Sequence, residues 1–459
     1  MMIQTGDGIG HENMGSALTL AVGIMWLFSG FVWAEESRDA VVLQAQRAYE
    51  QGQFQQVVDL VNPLLKDTST PSQASRLHIL ALAGLGKTAE ALDAYEKGIS
   101  VTKQENESLL RQTAIASILP LRFDMREQFR GAAYTALKEI DSDHVVEYLE
   151  EGLTDESGMI RALVAEALGK RKAGQRSKRF RESLKDGAGL VRSTVLIGLG
   201  QSGDGSLVPM IEPSLNDEQH LVQIAAARAL YELGNKHYWA RLEQGAQSRE
   251  GYERGAAIRA FGELEDRRAI PILEKTISDD QPSIRAAAIA SLGKLKAPES
   301  LPTLKAALFD RIPAVRSVAA FSMGYFEQRQ VLTPLTRALA DSNPGVRAAA
   351  VASLLRVGAP YSVVKHTVQQ LLNDQNPAIR SGAVKALGNG KGRDVIAALL
   401  LALNDPLPRP RIAAVRALGR VGDRMQVAVL KRTLRDADEA VRVTAAAAIV
   451  TILDNEIGI

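Results

Sequence analysis

The sequence predicts an all-α solenoid, a right-handed superhelix of antiparallel helix pairs, and three regularities carry that reading. An arginine returns every 31 residues, at Arg130, Arg161, Arg192, Arg254, Arg285, Arg316 and Arg347, then after a two-residue slip at Arg380, Arg411 and Arg442; Gln223 fills the one vacancy. An aspartate stands six residues before nearly every one of them, from Asp124 and Asp155 to Asp405 and Asp436. Around each arginine the apolar residues keep a helical period. Self-similarity at a short fixed period marks an array in which each unit buries its apolar face only against its neighbours.

The helix that bears the arginine comes first. The position before it is apolar in nine of eleven repeats, from Phe129 and Ile160 to Val441, with Glu253 and Pro410 as the exceptions. Three after it is Ala or Val, six after it is small, and seven after it is large and apolar. These offsets share one face of a helix with 3.6 residues per turn. Glycine at the eighth position (Gly169, Gly200, Gly262, Gly293, Gly324, Gly388, Gly419) is expected to end the helix as a cap. A second apolar run follows, such as 269–277 or 300–308, and closes at the next aspartate. Each unit therefore reads as two antiparallel helices of about three turns.

The aspartate precedes the arginine helix, where a carboxylate accepts backbone N–H groups and complements the helix dipole. The arginine projects back toward the carboxylate of its own or an adjacent layer, Arg316 being read as the partner of Asp310. Asp279 with Arg285, Asp310 with Arg316 and Asp341 with Arg347 form successive steps of this expected ladder. Such a pair contributes roughly 1.5–3 kcal/mol when partly buried and about 0–1 when solvated.

The phrase Asp-x-x-Pro-x-Val-Arg-x-x-Ala followed by Ala-Leu-Gly, as in Asp341-Ser-Asn-Pro-Gly-Val-Arg-Ala-Ala-Ala350, resembles the HEAT repeat, particularly the short HEAT-like repeats of the phycobilin-lyase group. The resemblance covers about residues 104–459, eleven repeats. It implies an Asp–Arg side-chain ladder inside the solenoid and a concave face lined by the second helices. It is specific for fold and weak for function, because such solenoids serve unrelated ends.

Residues 35–103 keep another period. Gly52 and Gly86 lie 34 apart, and Gly-Lys-Thr-Ala-Glu-Ala-Leu-Asp-Ala-Tyr-Glu-Lys-Gly at 86–98 resembles the second helix of a tetratricopeptide unit. Two such helix pairs fit, and two are too few for a stable array, so they are expected to cap the first repeat. Before them, Ala17 to Ala34 is an uncharged stretch ending Val32-Trp-Ala34, which suits signal-peptidase cleavage after Ala34 and makes 1–34 a signal peptide. The alternative is an uncleaved membrane anchor facing the periplasm. Either reading places the repeats in a periplasm or another extracytoplasmic space. The lack of cysteine excludes a lipoprotein and disulfides, and a net charge of +2 gives no general pull toward nucleic acid.

The sequence offers no catalytic, cofactor-binding or metal-binding residues. None of the six histidines lies three or four residues from another, and the His-Glu dyads of metal-dependent HEAT-repeat hydroxylases are absent beyond His11-Glu12. No phosphate loop or nucleophile motif is present. The expected function is a non-catalytic scaffold or adaptor for proteins; the alternative is a phycobilin-lyase-like factor or an enzyme accessory protein.

Three places are candidates for a partner. The ladder fails at Gln223, then at Ser248, with Glu253 at an apolar position and Tyr231, His237, Tyr238, Trp239 and Tyr252 close by in sequence. Rules break at functional sites, and Tyr and Trp anchor interfaces; the other reading is a core refilled with larger side chains. The basic run Lys170, Arg171, Lys172, Arg176, Lys178, Arg179, Arg181 and Lys185 suits an anionic partner or a solvated helix face. Five residues after the ladder position, Arg228, Arg259, Lys385 and Arg416, with Phe321, form a mildly basic groove. Nucleic acid would demand more charge and more stacking.

Overall fold

The computed structural model describes residues 38–67, 73–102 and 104–457, and every regular element among them is helical. The candidate export segment Ala17 to Ala34 lies outside the described residues. No described helix is long and apolar enough to cross a membrane. The chain divides into two units, Met1–Ala116 and Ser117–Ile459, the division falling within the helix Glu107–Ile118.

In the first unit, a helix over 38–50 is followed by Phe54–Val61, Gln73–Gly84 and Thr88–Thr102. Gly52 and Gly86 adopt φ of +72° and +76°, the left-handed conformation that closes a helix. At each, two backbone bonds seal the turn: Gly86 N–H donates to Ala83 O at 2.9 Å and Lys87 N–H to Leu82 O at 2.9 Å, and Gly52 and Gln53 repeat the arrangement with Tyr49 and Ala48. The 34-residue spacing thus corresponds to two turns of the same geometry. Val57, Val61, Leu77, Ala81, Leu92 and Tyr95 are buried.

The second unit holds the arginine repeats, numbered 1 to 11 from Arg130 to Arg442. Their second helices are Glu127–Glu139, Gly158–Gly169, Gly189–Gly200, His220–Glu232, Gly251–Glu263, Pro282–Leu295, Pro313–Met323, Pro344–Arg356, Pro377–Leu387, Pro408–Val421 and Glu439–Ile457. The first helices are shorter than the expected three turns in several repeats, as in Val146–Glu151, Ile270–Thr276, Leu301–Ala307 and Val427–Thr433. A single 3-10 turn precedes each of these four. Capping aspartates start some of these turns, with Asp266 accepting from Arg268 N–H and Asp423 from Met425 N–H. Pro271 and Pro302 occupy the second helical position, where a missing N–H costs nothing, and so fix the start of the α-helix proper.

The glycine at the eighth position is not the left-handed cap expected of it: none of these glycines has positive φ. It makes room for the neighbouring helix instead. A Cβ on Gly262 would lie 2.6 Å from Ser291 Cβ, one on Gly293 2.5 Å from Ser322 Cβ, and one on Gly324 3.0 Å from Ser353 Cβ. Each glycine therefore meets the small sixth-position residue of the following repeat, so two backbones approach where neither side chain has bulk. Ser291 and Ser353 use the proximity, each donating its hydroxyl to a carbonyl of the preceding repeat, Ile258 and Phe321.

The ladder is present and joins repeats. In eight rungs the guanidinium fork donates Nε to Oδ2 at 2.6–2.8 Å and Nη2 to Oδ1 at 2.7–3.2 Å of the aspartate 25 residues on, in the next repeat. Arg316 thus holds Asp341, and Asp310 is held by Arg285; the pairing of Arg316 with Asp310 is corrected. The contact of Arg316 with its own repeat is Nη1 to Asp310 O at 2.9 Å. The aspartate also caps its turn, as Asp310 Oδ1 accepts from Ile312 N–H at 2.8 Å. Arg347 is a second correction. It binds only carbonyls, Asp341 O and Ser342 O, and its buried Nε has no acceptor among the described residues. The two-residue slip puts Asp374 27 residues on, out of the register that the fork needs.

Within this unit the solenoid turns until its ends meet. The last helix, Glu439–Ile457, packs on Glu127–Glu139 of repeat 1. Thr451 Oγ1 donates to Glu139 O at 3.4 Å, Arg126 lies 3.5 Å from Glu439, and Arg416 of repeat 10 pairs with the Glu139 carboxylate. Consecutive second helices pack closely all the way round, the last on the first, whereas consecutive first helices barely touch, so the eleven repeats close into a ring with the second helices on its inner side.

Candidate functional site

The ladder's failure in repeats 4 and 5 is repaired from within. Gln223 Nε2 donates to Asp217 O at 2.7 Å, the carbonyl bond its arginine counterparts make. Arg241, from the first helix Trp239–Ala246, supplies a guanidinium in place of the missing one, donating Nη2 to Gln223 Oε1 and to Glu253 Oε1, both at 2.9 Å. Glu253 Oε2 accepts from Ser248 Oγ at 2.6 Å. Burial raises the Glu253 carboxyl, but Ser248 and Arg241 outweigh it and hold the group below its ordinary value.

Trp239 is 9% exposed, with its ring centroid 4.7 Å from Phe261 and 5.7 Å from Tyr231. Its Nε1 donates to Glu243 at 2.7 Å, and the Tyr231 hydroxyl donates to Asp266 at 2.5 Å. Tyr231, Trp239 and Glu253 are therefore interior residues that refill a degenerate repeat, while Arg228, also buried, borders the inner face. Tyr252 alone of the proposed aromatic anchors is well exposed, at 58%; Tyr238 is half-buried against the exposed His237.

The basic run is split by its own repeat. Arg171 is buried and held by carbonyls, donating Nη1 to Ala167 O and Nη2 to Lys138 O and Ile140 O, so it does not face an exposed anion site. Lys170 pairs with Glu166 at 2.6 Å and Lys178 with Glu182 at 3.6 Å. Lys172, Arg176, Arg179 and Lys185 are exposed and have no ion pair among the described residues.

Arg179 and Lys185 line a rim cleft of about 990 Å³ spanning repeats 1 to 3. Its other wall carries Phe123 and Met125, 72% and 94% exposed, on either side of Asp124. Beneath them the Arg122 guanidinium is buried 5.0 Å from the Phe123 ring and 4.8 Å from Tyr148, and pairs with Glu151. Sequence reasoning missed Phe123 and Met125, although two large apolar residues flanking a ladder aspartate are themselves an anomaly beside Lys185 and Gly187 around Asp186.

The inner face carries a second cleft of about 1130 Å³, lined from repeat 1 to repeat 6 by Thr135, Glu166, Ile197, Arg228, Glu263 and Lys294, among others. Here the cations are neutralised. Glu166 accepts from Lys138 at 2.5 Å and Lys170 at 2.6 Å, Arg228 pairs with Glu232 at 3.1 Å, and Lys294 pairs with Glu263. Arg259 and Lys385, by contrast, are exposed. No group of three His, Asp or Glu side chains able to hold a metal ion occurs among the described residues.

HEAT repeats match residues 239–312, 307–363 and 364–451, which span repeats 5 to 11. None of the curated proteins matches the chain. Among solved structures, human deoxyhypusine hydroxylase in complex with glycerol is similar at 19% identity and TM-score 0.30, over 56% of this chain and 98% of that one. The complex of CpcE and CpcF of phycocyanin lyase from Nostoc sp. is similar at 20% identity and TM-score 0.29, over 66% of this chain and 93% of that one. A structure of Kap95p with RanGDP is similar at 13% identity and TM-score 0.36, over 89% and 64%. The matched repeats, the inter-repeat Asp–Arg rungs and the helices that make up every described element show an α-solenoid of HEAT repeats.

Proposed function

We propose that the protein is an exported, non-catalytic adaptor of a bacterial periplasm or envelope that grips a protein partner at the rim cleft of repeats 1 to 3. The observation that carries this is the pairing of exposed Phe123 and Met125 with Arg179 and Lys185, two cations without a carboxylate partner. Large exposed apolar side chains suit the apolar anchor of a partner segment, and the cleft around them carries exposed charge of both signs, Glu156 and Glu182 beside Arg179 and Lys185. Lys172 and Arg176, a few residues earlier in the chain, are exposed as well. The buried carboxylates nearby, Asp155 and Asp186, are committed to rungs, which leaves them no role as acid or base. Export rests on the uncharged Ala17 to Ala34 stretch and its Val32-Trp-Ala34 ending.

The test is capture from a native envelope extract by the wild-type protein and by the double variant Met125→Asp, Arg179→Glu. The expected result is a protein retained by the first and lost by the second, with the two chains melting alike. Equal retention by both would refute the cleft as the docking site.

A further inference from the structure

Ring closure places the inner walls of repeats 7 to 10 opposite a charge problem that the rest of the ring does not have. Their second helices, Pro313–Met323, Pro344–Arg356, Pro377–Leu387 and Pro408–Val421, contain no Asp or Glu. Toward the carboxyl ends of three of these helices stand Arg356, Lys385, Arg416 and Arg420; the carboxylate that meets them is Glu139 of repeat 1, which pairs with Arg416 and lies near Arg420. Everywhere else on the inner face a lysine or arginine of this kind meets a carboxylate of its own or an adjacent repeat, Arg259 excepted.

The cluster is organised. Phe321 and Tyr325 meet edge to face at 6.1 Å, and the Arg356 guanidinium lies 4.2 Å from the Phe321 centroid and 5.0 Å from that of Tyr325. Arg356 Nη2 donates to Asn389 Oδ1 at 2.7 Å, while its Nη1 is shielded from solvent without an acceptor among the described residues. Asn389 is fixed in turn by Lys385 O and Ala386 O, each at 3.2 Å. Arg420 reaches toward Gly388, where an added Cβ would lie 2.6 Å from its Nη2, so the glycine leaves the guanidinium its space. Burial depresses the Arg420 guanidinium, Glu139 opposes this, and Arg416 and Arg356 depress it further. Arg420 and Lys385 are exposed to the space in front of the wall; holding like charges together opposes folding, and such a concentration of one sign focuses the field on an incoming anion.

We propose that the inner wall of repeats 7 to 10 binds a small phosphorylated ligand bearing a planar ring, its phosphates on Lys385, Arg416 and Arg420 and its ring against Phe321. Arginine forks match phosphate oxygens, and Phe321, 38% exposed, offers the ring a partly open face beside a guanidinium already held in place. Enclosure by the ring favours a small molecule over a polymer, which would have to thread it. This site is separate from the rim cleft and does not depend on it.

The test is titration calorimetry of the full chain at low salt with ADP and with inorganic pyrophosphate. Both are expected to bind one per chain, ADP more tightly, and Lys385→Ala with Arg420→Ala should weaken both by about tenfold or more. Phe321→Leu should weaken ADP and leave pyrophosphate unchanged, and Lys385→Gln, at an exposed position, should weaken both without affecting folding. Without ligand, Arg420→Ala should melt at the same or a higher temperature than the wild type, because a repelling charge has gone. No heat with either probe, binding that survives the double substitution, a lower ligand-free melting temperature for Arg420→Ala, or tighter binding of a single-stranded oligonucleotide than of ADP would each overturn the proposal.

Discussion

Arg316 joins two repeats: its Nε and Nη2 each donate to the Asp341 carboxylate at 2.8 Å, and its Nη1 donates to the carbonyl of Asp310 at 2.9 Å. The rung is an interface contact, so its strength enters the coupling between neighbouring repeats. Both side chains are largely buried, and the bond is charge-assisted and bidentate. Arg316→Ala should therefore cost about 1.5–3 kcal/mol. Arg347→Ala, which loses only carbonyl contacts, should cost less. Urea melts of the two variants check this, and equal losses would count against the rung.

Acid should weaken the same contacts. The Arg285 fork holds the Asp310 carboxyl below its ordinary value, as Arg316 does for Asp341 and Arg380 for Asp405. A carboxyl depressed in the folded state stabilises it above the unfolded value, about 3.9, and that stability is lost as pH falls through the folded value. The urea midpoint should hold steady down to about pH 5 and then fall below about pH 4. Asp341→Asn should flatten that fall. A midpoint that declines between neutrality and pH 5 instead would point to other groups.

Gly262 and Gly131 give opposite expectations for one substitution. Alanine at Gly262 drives its Cβ into Ser291 and should cost about 1–3 kcal/mol by overpacking. Gly131 has nothing within 4 Å of its would-be Cβ, so alanine there should be neutral or stabilise by about 0.4–1 kcal/mol. Thermal melts distinguish the pair.

Trp239 should report a dry interior. In a chain beginning at Glu35, which lacks Trp26 and Trp33, its emission should be blue-shifted and resist acrylamide quenching, and Trp239→Ala should cost about 3–5 kcal/mol as a cavity. A red-shifted, readily quenched emission would return Trp239 to the surface.

The period of Asp and Arg made the repeats and the ladder legible, because both are local patterns copied along the chain. Which aspartate an arginine grips was not legible. Spacings of six and 25 are equally compatible with a ladder, and only the rise between layers selects the second. Gly262 looked like a cap because a helix-ending glycine and a contact glycine share the same place in a repeat. The aromatic density around Trp239 suggested a surface because the rescuing Arg241 lies on the first helix, away from the ladder pattern. Closure of Glu439–Ile457 on Glu127–Glu139 depends on twist summed over eleven repeats, which no single repeat encodes. Phe123 and Met125 sit in a turn, where the repeat rule sets no expectation.

The adaptor reading is tested most directly by a photocrosslinking amino acid at Met125 in native cells, with the exposed Lys391 as control. The expected result is one discrete adduct to an envelope protein from position 125 and none from 391, on a mature chain whose amino terminus reads Glu35-Glu-Ser. No adduct at Met125, the same adducts at both positions, or an uncleaved chain in the cytosol would contradict it.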